Sequence, residues 1–146
     1  MAIGAIVHSN TVRFRSIFFV AALLIITAVK AQSSGQFLFT MMDGRTVVRM
    51  LPEDWTPRFE KAFIYLTPRD RIVVSDLAAV QPLHPDDVSG HHQVKLLLRN
   101  TLGRGSQVFW VPNAYRTLED APHENGFLVL GPQTLIREGI YREVLE

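Results

Sequence analysis

A run of 13 residues, Ile17–Val29, is apolar apart from Thr27 and constrains the chain more than any other feature. As an α-helix rising about 1.5 Å per residue, the run would extend about 20 Å, which is shorter than the roughly 30 Å hydrocarbon core of a bilayer. Arg13 and Arg15 precede the run and Lys30 follows it. A short apolar run with a basic flank is typical of a secretory signal peptide and argues against a stable membrane anchor.

The residues after this run resemble a signal-peptidase site. Val29 and Ala31 stand at the two positions that the peptidase reads, and the polar residues 32–35 follow them. We therefore predict cleavage after Ala31, with residues 1–31 as the signal peptide and residues 32–146 as a single secreted domain. The expected location is extracellular, with the periplasm or delivery into a host cell as further possibilities. A buried core helix and an uncleaved signal anchor are the alternatives.

Composition limits the function of the predicted mature chain, which keeps 115 of the 146 residues. That length is enough for one domain with its own apolar core. Three of the 15 lysines and arginines leave with the signal peptide, so 12 remain against 14 acidic residues and the formal charge is −2. This balance gives no support for nucleic-acid binding. The chain has no cysteine, which excludes disulfides, thiolate catalysis and thiolate metal ligands.

Alternating residues on both sides of Asp43-Gly44 predict a β-hairpin, because both residues tolerate the positive φ of a tight turn. A turn at this pair would create one continuous apolar face. The expected pairs are Met41 with Thr46, Phe39 with Val48, and Phe37 with Met50.

A second hairpin is predicted from residues 94–102 and 108–111, and further strands from 62–66, 71–74 and 127–130. With Arg104-Gly105 as the turn, the second hairpin would pair two aliphatic residues and would also bring a guanidinium next to an indole. Those pairs are Leu98 with Val111 and Arg99 with Trp110.

Two helices complete the predicted fold. A proline followed by acidic residues predicts a short helix over about 52–60. Ile136, Ile140 and Val144 are spaced by four and predict an amphipathic helix within 132–146. The fold class is therefore α+β: a single domain of mainly antiparallel hairpins, with a short helix after the first hairpin and a C-terminal amphipathic helix.

The segment His84–His92 has the composition of a possible site, because His84, His91 and His92 accompany Asp86 and Asp87. Imidazole nitrogens and carboxylate oxygens are ordinary ligands for zinc and other divalent ions. The spacing matches no known metal site, and adjacent histidines in an extended segment point to opposite sides. We therefore assign no metal site and no cofactor, and interpret the segment as a solvated turn.

Other candidates for catalysis are weaker. Ser106 lies in a predicted hairpin turn and not in a nucleophile elbow, and the glycines of 102–106 lack the ending of a phosphate loop. Paired carboxylates suit glycoside hydrolysis only if folding places two of them about 5 to 9.5 Å apart. The pairs are Glu53-Asp54, Asp86-Asp87 and Glu119-Asp120. No catalytic residue is assigned.

These features favour a small secreted protein-binding domain without catalysis. Its partner would be another protein, and the domain could serve as a virulence effector acting on a host protein. Arginines outnumber lysines after residue 31, and tryptophans and tyrosines accompany them, which is typical of protein interfaces. Codon bias and ordinary core aromatics explain the same composition at least as well. The alternatives are a secreted metal-dependent or hydrolytic enzyme that uses the His84–His92 loop, and a periplasmic or wall-associated structural module.

Overall fold

β-Strands are the main regular structure of residues 33–99 and 106–144, the parts of the chain that the computed structural model describes. Of these residues 57% lie in strands and 6% in helices, and no helix among them reaches seven residues. The strands belong to one unit, Ser34–Glu146. The predicted signal peptide, its cleavage site and the turn predicted at Arg104-Gly105 lie outside the described residues.

The strands are numbered in chain order. The first six are β1 (Ser34–Met41), β2 (Thr46–Pro52), β3 (Phe59–Glu60), β4 (Phe63–Thr67), β5 (Asp70–Val73) and β6 (Leu77–Pro82). They are followed by β7 (His91–Leu98), β8 (Gln107–Pro112), β9 (His123–Glu124), β10 (Phe127–Gly131), β11 (Thr134–Arg137) and β12 (Tyr141–Glu143). Two short 3-10 turns, Val74–Asp76 and Leu118–Asp120, lie between strands.

The strands form three antiparallel sheets. A central sheet has the order β2-β1-β6-β11-β10-β9, and two three-stranded sheets have the orders β12-β7-β8 and β3-β4-β5. Two hydrophobic cores lie on the central sheet. Core I consists of Ala79, Val94, Leu96, Leu98, Phe109, Val111, Leu118, Ala121, Leu128, Leu130 and Ile136. Core II consists of Phe37, Phe39, Leu51, Trp55, Ile64, Leu66, Leu77, Val80, Phe127 and Leu135.

The central strands are buried on both faces. Ala79 lies in core I and its neighbour Val80 lies in core II, and the same alternation holds for adjacent residues of β10 and β11. Side chains of β7 and β8 pack against the central sheet in core I, and side chains of β4 pack against it in core II. Strands covered on both sides have nearly continuous apolar sequences, as 77–80 and 127–130 do.

The first hairpin is present, but its register differs by one residue from the prediction. β1 and β2 pair Thr40 with Thr46 and Phe39 with Val47. The Met41 N–H donates to the Arg45 carbonyl (2.8 Å) and the Gly44 N–H donates to the Met41 carbonyl (3.0 Å), so Met42 joins the turn and three residues, 42–44, lie between the bonded pair. A shift of one residue exchanges the two faces of a strand.

This register moves two apolar side chains of β2 away from core II. Val48 and Met50 share a face with Leu38 and Gln36 instead of with the buried phenylalanines of β1. Their exposed fractions are 49% for Val48 and 61% for Met50. The predicted continuous apolar face is therefore wrong, and β2 is an edge strand with exposed apolar side chains.

The helix predicted over 52–60 is wrong. The chain turns at Pro52, whose carbonyl accepts from the Trp55 N–H (2.9 Å), and then enters the short strand β3. The Trp55 indole is buried against Phe37 and Phe39 with edge-on ring contacts at 5.2 and 5.8 Å, and its Nε1 donates to the Tyr65 carbonyl (3.1 Å). Burial of this ring against the sheet outweighs the helix-start pattern of the preceding residues.

The C-terminal amphipathic helix is also wrong. Thr134–Arg137 forms β11, which pairs with both β6 and β10, and a turn containing Gly139 leads into β12. Leu135 and Ile136 are both buried, whereas the predicted helix placed only Ile136 on its apolar face. The α+β fold class is therefore replaced by an all-β arrangement of the described residues.

The second hairpin, β7 and β8, also differs from its predicted register. Trp110 lies opposite Gln93 and Val111 lies opposite His92, instead of opposite Arg99 and Leu98. Leu98 pairs on its other side with Tyr141 of β12. The connection between β7 and β8 is longer than a two-residue turn, so local turn preference could not specify the pairing.

Candidate functional site

A groove of about 620 Å³ opens at one end of the central sheet. Its lining comes from the first residues of β1, β7 and β11 and from the last residues of β6 and β10, with one residue each from β2 and β8. Four strands of the central sheet, together with β7 of a neighbouring sheet, thus place their ends around one concavity. Grooves of 300 to 1,000 Å³ on a rigid framework are the usual size of a ligand site.

The loop between β6 and β7, residues 83–90, forms one wall of the groove. Asp87 Oδ1 accepts hydrogen bonds from the backbone N–H and the hydroxyl of Ser89, at 3.0 and 2.7 Å. These bonds favour the ionised carboxylate and lower the pKa of Asp87. His91 Nδ1 donates to the Ser89 carbonyl at 2.8 Å, which orients the ring at the start of β7. The wall is therefore an ordered turn.

The segment after β2 forms the facing wall. Gln133, in the turn between β10 and β11, donates through Nε2 to the carbonyl oxygens of Glu53 (2.8 Å) and Trp55 (2.6 Å). These two bonds hold the backbone of Glu53 and Trp55 against the turn between β10 and β11 of the central sheet.

Glu53 and Asp86 line the groove from these two walls. Hydrogen bonding and charge repulsion from the Glu53 carboxyl raise the pKa of Asp86, because both disfavour its ionised form. The groove therefore brings together acidic residues from two of the predicted carboxylate pairs, Glu53 from one pair and Asp86 and Asp87 from the other.

The groove combines negative charge with apolar surface. Glu53, Asp86 and Asp87 line it, and the described residues of its lining include no lysine or arginine. Met50 and Trp110 contribute apolar and aromatic surface.

The structure separates the three histidines of the predicted cluster. His84 and His91 line the groove, whereas His92 Nδ1 bonds to the Asn113 side-chain oxygen at 2.9 Å. Within the described ranges, no group of three or more histidine, aspartate or glutamate side chains is placed to hold a metal ion. Geometry in this part of the chain therefore does not favour the metal-dependent enzyme.

The other candidate residues have separate surroundings. Asp54 lines a different cavity from that of Glu53, and Asp120 Oδ2 accepts from the backbone N–H groups of Arg116 and Thr117. Ser106 directly precedes β8, and residues 102–105 of the glycine-bearing turn lie outside the described residues.

A second polar cluster, formed by Glu119, His123, Glu138 and Tyr141, joins three segments near the C-terminus. The Tyr141 hydroxyl donates to Glu119 Oε1 (2.6 Å), and His123 bonds through Nδ1 to Glu138 and contacts the Glu119 carbonyl through Nε2 (3.3 Å). Burial and the bond to Glu119 raise the pKa of Tyr141, and the bond to Glu138 raises the pKa of His123. These bonds link the Leu118–Asp120 turn and β9 to the end of the chain.

Local sequence does not show that Glu53 and Asp86 line one groove. In the sequence each belongs to a neighbouring pair, with Asp54 or Asp87, and the two are 33 positions apart. No local spacing predicts this arrangement, because it depends on the pairing of β1 with β2 and β6.

Comparisons of the chain with protein-family models, with curated proteins and with solved structures found no match. No helix within the described ranges combines the length and hydropathy that a bilayer-spanning segment requires. The class that fold and site define is a layered antiparallel β-domain with one acidic, partly apolar groove at a sheet end.

Proposed function

We propose that this protein is an exported binding domain without catalysis, and that it holds a segment of another protein in the groove. The single observation that carries the proposal is the groove itself, in which charged, aromatic and aliphatic side chains converge at the end of a doubly buried sheet. Apolar surface with a few polar groups on a rigid framework is the common composition of a binding site.

The neighbouring edge strand supports a protein segment as the ligand. Among the described strands β2 pairs with β1 alone, and its residue Met50 is exposed and also lines the groove. An extended segment can place its side chains in a groove beside such an edge. The groove is larger than one side chain needs, which also favours a chain segment over a single small group.

Export is proposed from the apolar run at Ile17–Val29 and the site after Ala31. Terminal sequencing of protein collected from culture fluid tests it. A mature protein that begins at Gln32 supports export and cleavage, and recovery of intact chain from the cytosol alone would contradict both.

The binding proposal is tested with random 12-residue linear peptides displayed on phage and selected against the full chain. Peptides that enrich are then measured against Met50→Ser, which removes apolar surface from the groove. The matched control is Val73→Ser, which removes a side chain that is 38% exposed on β5 and does not line the groove. We expect at least tenfold weaker binding by M50S and unchanged binding by V73S.

Two outcomes would contradict this proposal. One is a selection that enriches no peptide over the bare support, and the other is equal binding of the enriched peptides by wild type and M50S.

A further inference from the structure

We infer that the bound segment adds a strand to the outer edge of β2 through backbone hydrogen bonds, with apolar side chains at the two alternate positions opposite Val48 and Met50. This inference rests on the proposed function and names the binding mode and the chemistry of its ligand. It follows from three properties of β2: the direction of its backbone groups, the side chains that it exposes, and the single charge that it carries.

The hydrogen bonds of β1 show which backbone groups of β2 point outward. The Met41 N–H donates to the Arg45 carbonyl, so the backbone of Met41 points toward β2. The Gln36 carbonyl accepts from the Leu83 N–H on the opposite side of β1. Because bonded and non-bonded pairs alternate along an antiparallel ladder, the odd-numbered residues of β1 bond to β2. By the register, their partners in β2 are Val47, Arg49 and Leu51.

The outer edge therefore presents the N–H and C=O groups of the intervening residues Thr46, Val48 and Met50. Between residues 33 and 99 and between 106 and 144, no backbone hydrogen bond outside the β1 ladder involves these three. The edge ends at Pro52, which has no N–H and whose carbonyl accepts from Trp55. Donors and acceptors on alternate residues match an extended backbone, whereas a helix uses its own backbone groups internally.

β2 lacks the usual protection of an edge strand. Natural edges avoid pairing through short length, exposed charges, prolines or bulges. β2 has seven residues, its proline is the last of them, and its register with β1 contains no shift. Its charged side chain, Arg49, is bound to Asp70 of β5. An unprotected edge beside a groove has the properties that strand addition requires.

The exposed side chains of the edge define what the added strand carries. By the register, Val48 and Met50 extend the rows of Leu38 and Gln36 across one face of the sheet. Both side chains are exposed, and Met50 also lines the groove. A strand next to β2 places its own alternate side chains directly beside these two, so apolar residues at those positions cover them.

The charge of Arg49 favours a segment of another protein over a second copy of this chain. In a symmetric antiparallel pair of β2 strands, the register that matches Val48 with Met50 places the two Arg49 side chains directly opposite each other. Like charges in that position are destabilising. A segment of another protein can instead carry a neutral or acidic residue between its two apolar ones.

The ligand side of the test uses a peptide selected against the full chain and a series of its single N-methylated forms. Each N-methyl group removes one backbone N–H donor and adds bulk at that position. We expect N-methylation at every second residue to weaken binding at least tenfold, and N-methylation at the intervening residues to change it less than threefold. The enriched peptides should share two apolar residues separated by one residue that is not basic.

The protein side of the test uses Val48→Pro, which removes an outward N–H at a position where an edge strand tolerates proline. The matched control is Val48→Thr, which keeps the N–H and the branched side chain. We expect V48P to bind at least tenfold more weakly than wild type and V48T to bind within threefold of it. Urea unfolding shows whether V48P is folded, and the N-methyl series decides alone if it is not.

The two proposals fail in different ways. If M50S weakens binding but N-methylation has no alternating effect, or if folded V48P binds as V48T does, strand addition to β2 is wrong and the groove stands. If M50S binds as wild type does, the groove itself is wrong. Sedimentation of the free chain tests a second copy as the occupant, and a dimer that V48P dissociates would overturn the partner segment.

Discussion

Leu135 and Ile136 are consecutive residues of β11, yet their side chains are buried in different cores. Leu135 is 2% exposed in core II and Ile136 is fully buried in core I. The backbone between them belongs to the middle of the central sheet, with β6 on one side and β10 on the other. This arrangement makes the central sheet a shared wall of two separately packed interiors.

The two cores should contribute independently to stability. Ile64→Val in core II and Ile136→Val in core I each remove one buried methylene, so each should lower the free energy of unfolding by about 0.5 to 1.5 kcal/mol. The double variant should equal the sum within about 0.5 kcal/mol. Urea unfolding measures all three, with the exposed Val48→Ala as a control expected within about 0.5 kcal/mol of wild type. A double variant far from the sum would contradict separate packing.

The effect of one substitution at Gly139 on stability distinguishes a turn from a helix, because the change has opposite signs in the two structures. Gly139 has φ +77° and nothing lies within 4 Å of an added Cβ, so only backbone conformation decides the effect. Gly139→Ala should destabilise the protein by about 1 kcal/mol, because alanine disfavours the left-handed region. In a helix the same change would stabilise it by about 1 kcal/mol. Thermal unfolding measures the sign, and Gly131→Ala, where the space is also open, is the control expected not to destabilise.

The contact between His123 and Glu138 should make stability depend on pH. The Glu138 carboxylate raises the pKa of His123 in the folded state. The added stability is therefore fully present below the unfolded value of about 6.5 and is lost as the pH rises through the raised folded value. The free energy of unfolding, measured with urea at low salt, should be larger for wild type than for His123→Gln, and this difference should be greater at pH 6 than at pH 9. Glu138→Gln should remove the same difference, and a difference that persists in E138Q would contradict this account.

Asp86 should show the opposite consequence of a charge contact. Its pKa is raised because its hydrogen bond and repulsion with Glu53 disfavour the ionised form, so the contribution to stability is present at acid pH and lost as the pH rises through the raised value. Asp86→Asn should therefore unfold at higher urea than wild type at pH 7, and this advantage should shrink at pH 4.

The control for that measurement is Asp54→Asn, which removes a charge outside the groove. His84, Asp87 and His91 line the same groove and are present in both proteins, so the comparison with wild type cancels their common effect. A variant D86N that is less stable than wild type at pH 7 would contradict the repulsion. If D86N is more stable than wild type but binds the selected peptides more weakly, Asp86 has a role in binding that is separate from folding.

Local patterns predicted several strands and the partners in two hairpins, but not the registers of those hairpins. The Asp43-Gly44 pair correctly marked the first hairpin, and its register was wrong by one because Met42 joined the turn and Arg45 paired with Met41. The helix predicted from Ile136, Ile140 and Val144 failed because a four-residue spacing of apolar side chains also occurs when a doubly buried strand runs into a turn. In both cases the competing structures differ in contacts with distant strands, which neighbouring residues do not specify.

The sequence alone determined the absence of thiol chemistry, the positions of several strands and the apolar run that predicts export, because each depends on residue type or on near neighbours. The tertiary structure decided which side chains share a core and which share the groove. Glu53 and Asp86 line the same groove because β1 pairs with both β2 and β6 and thereby brings the ends of those strands together. Such contacts depend on strand order and register, which are set by burial over the whole sheet.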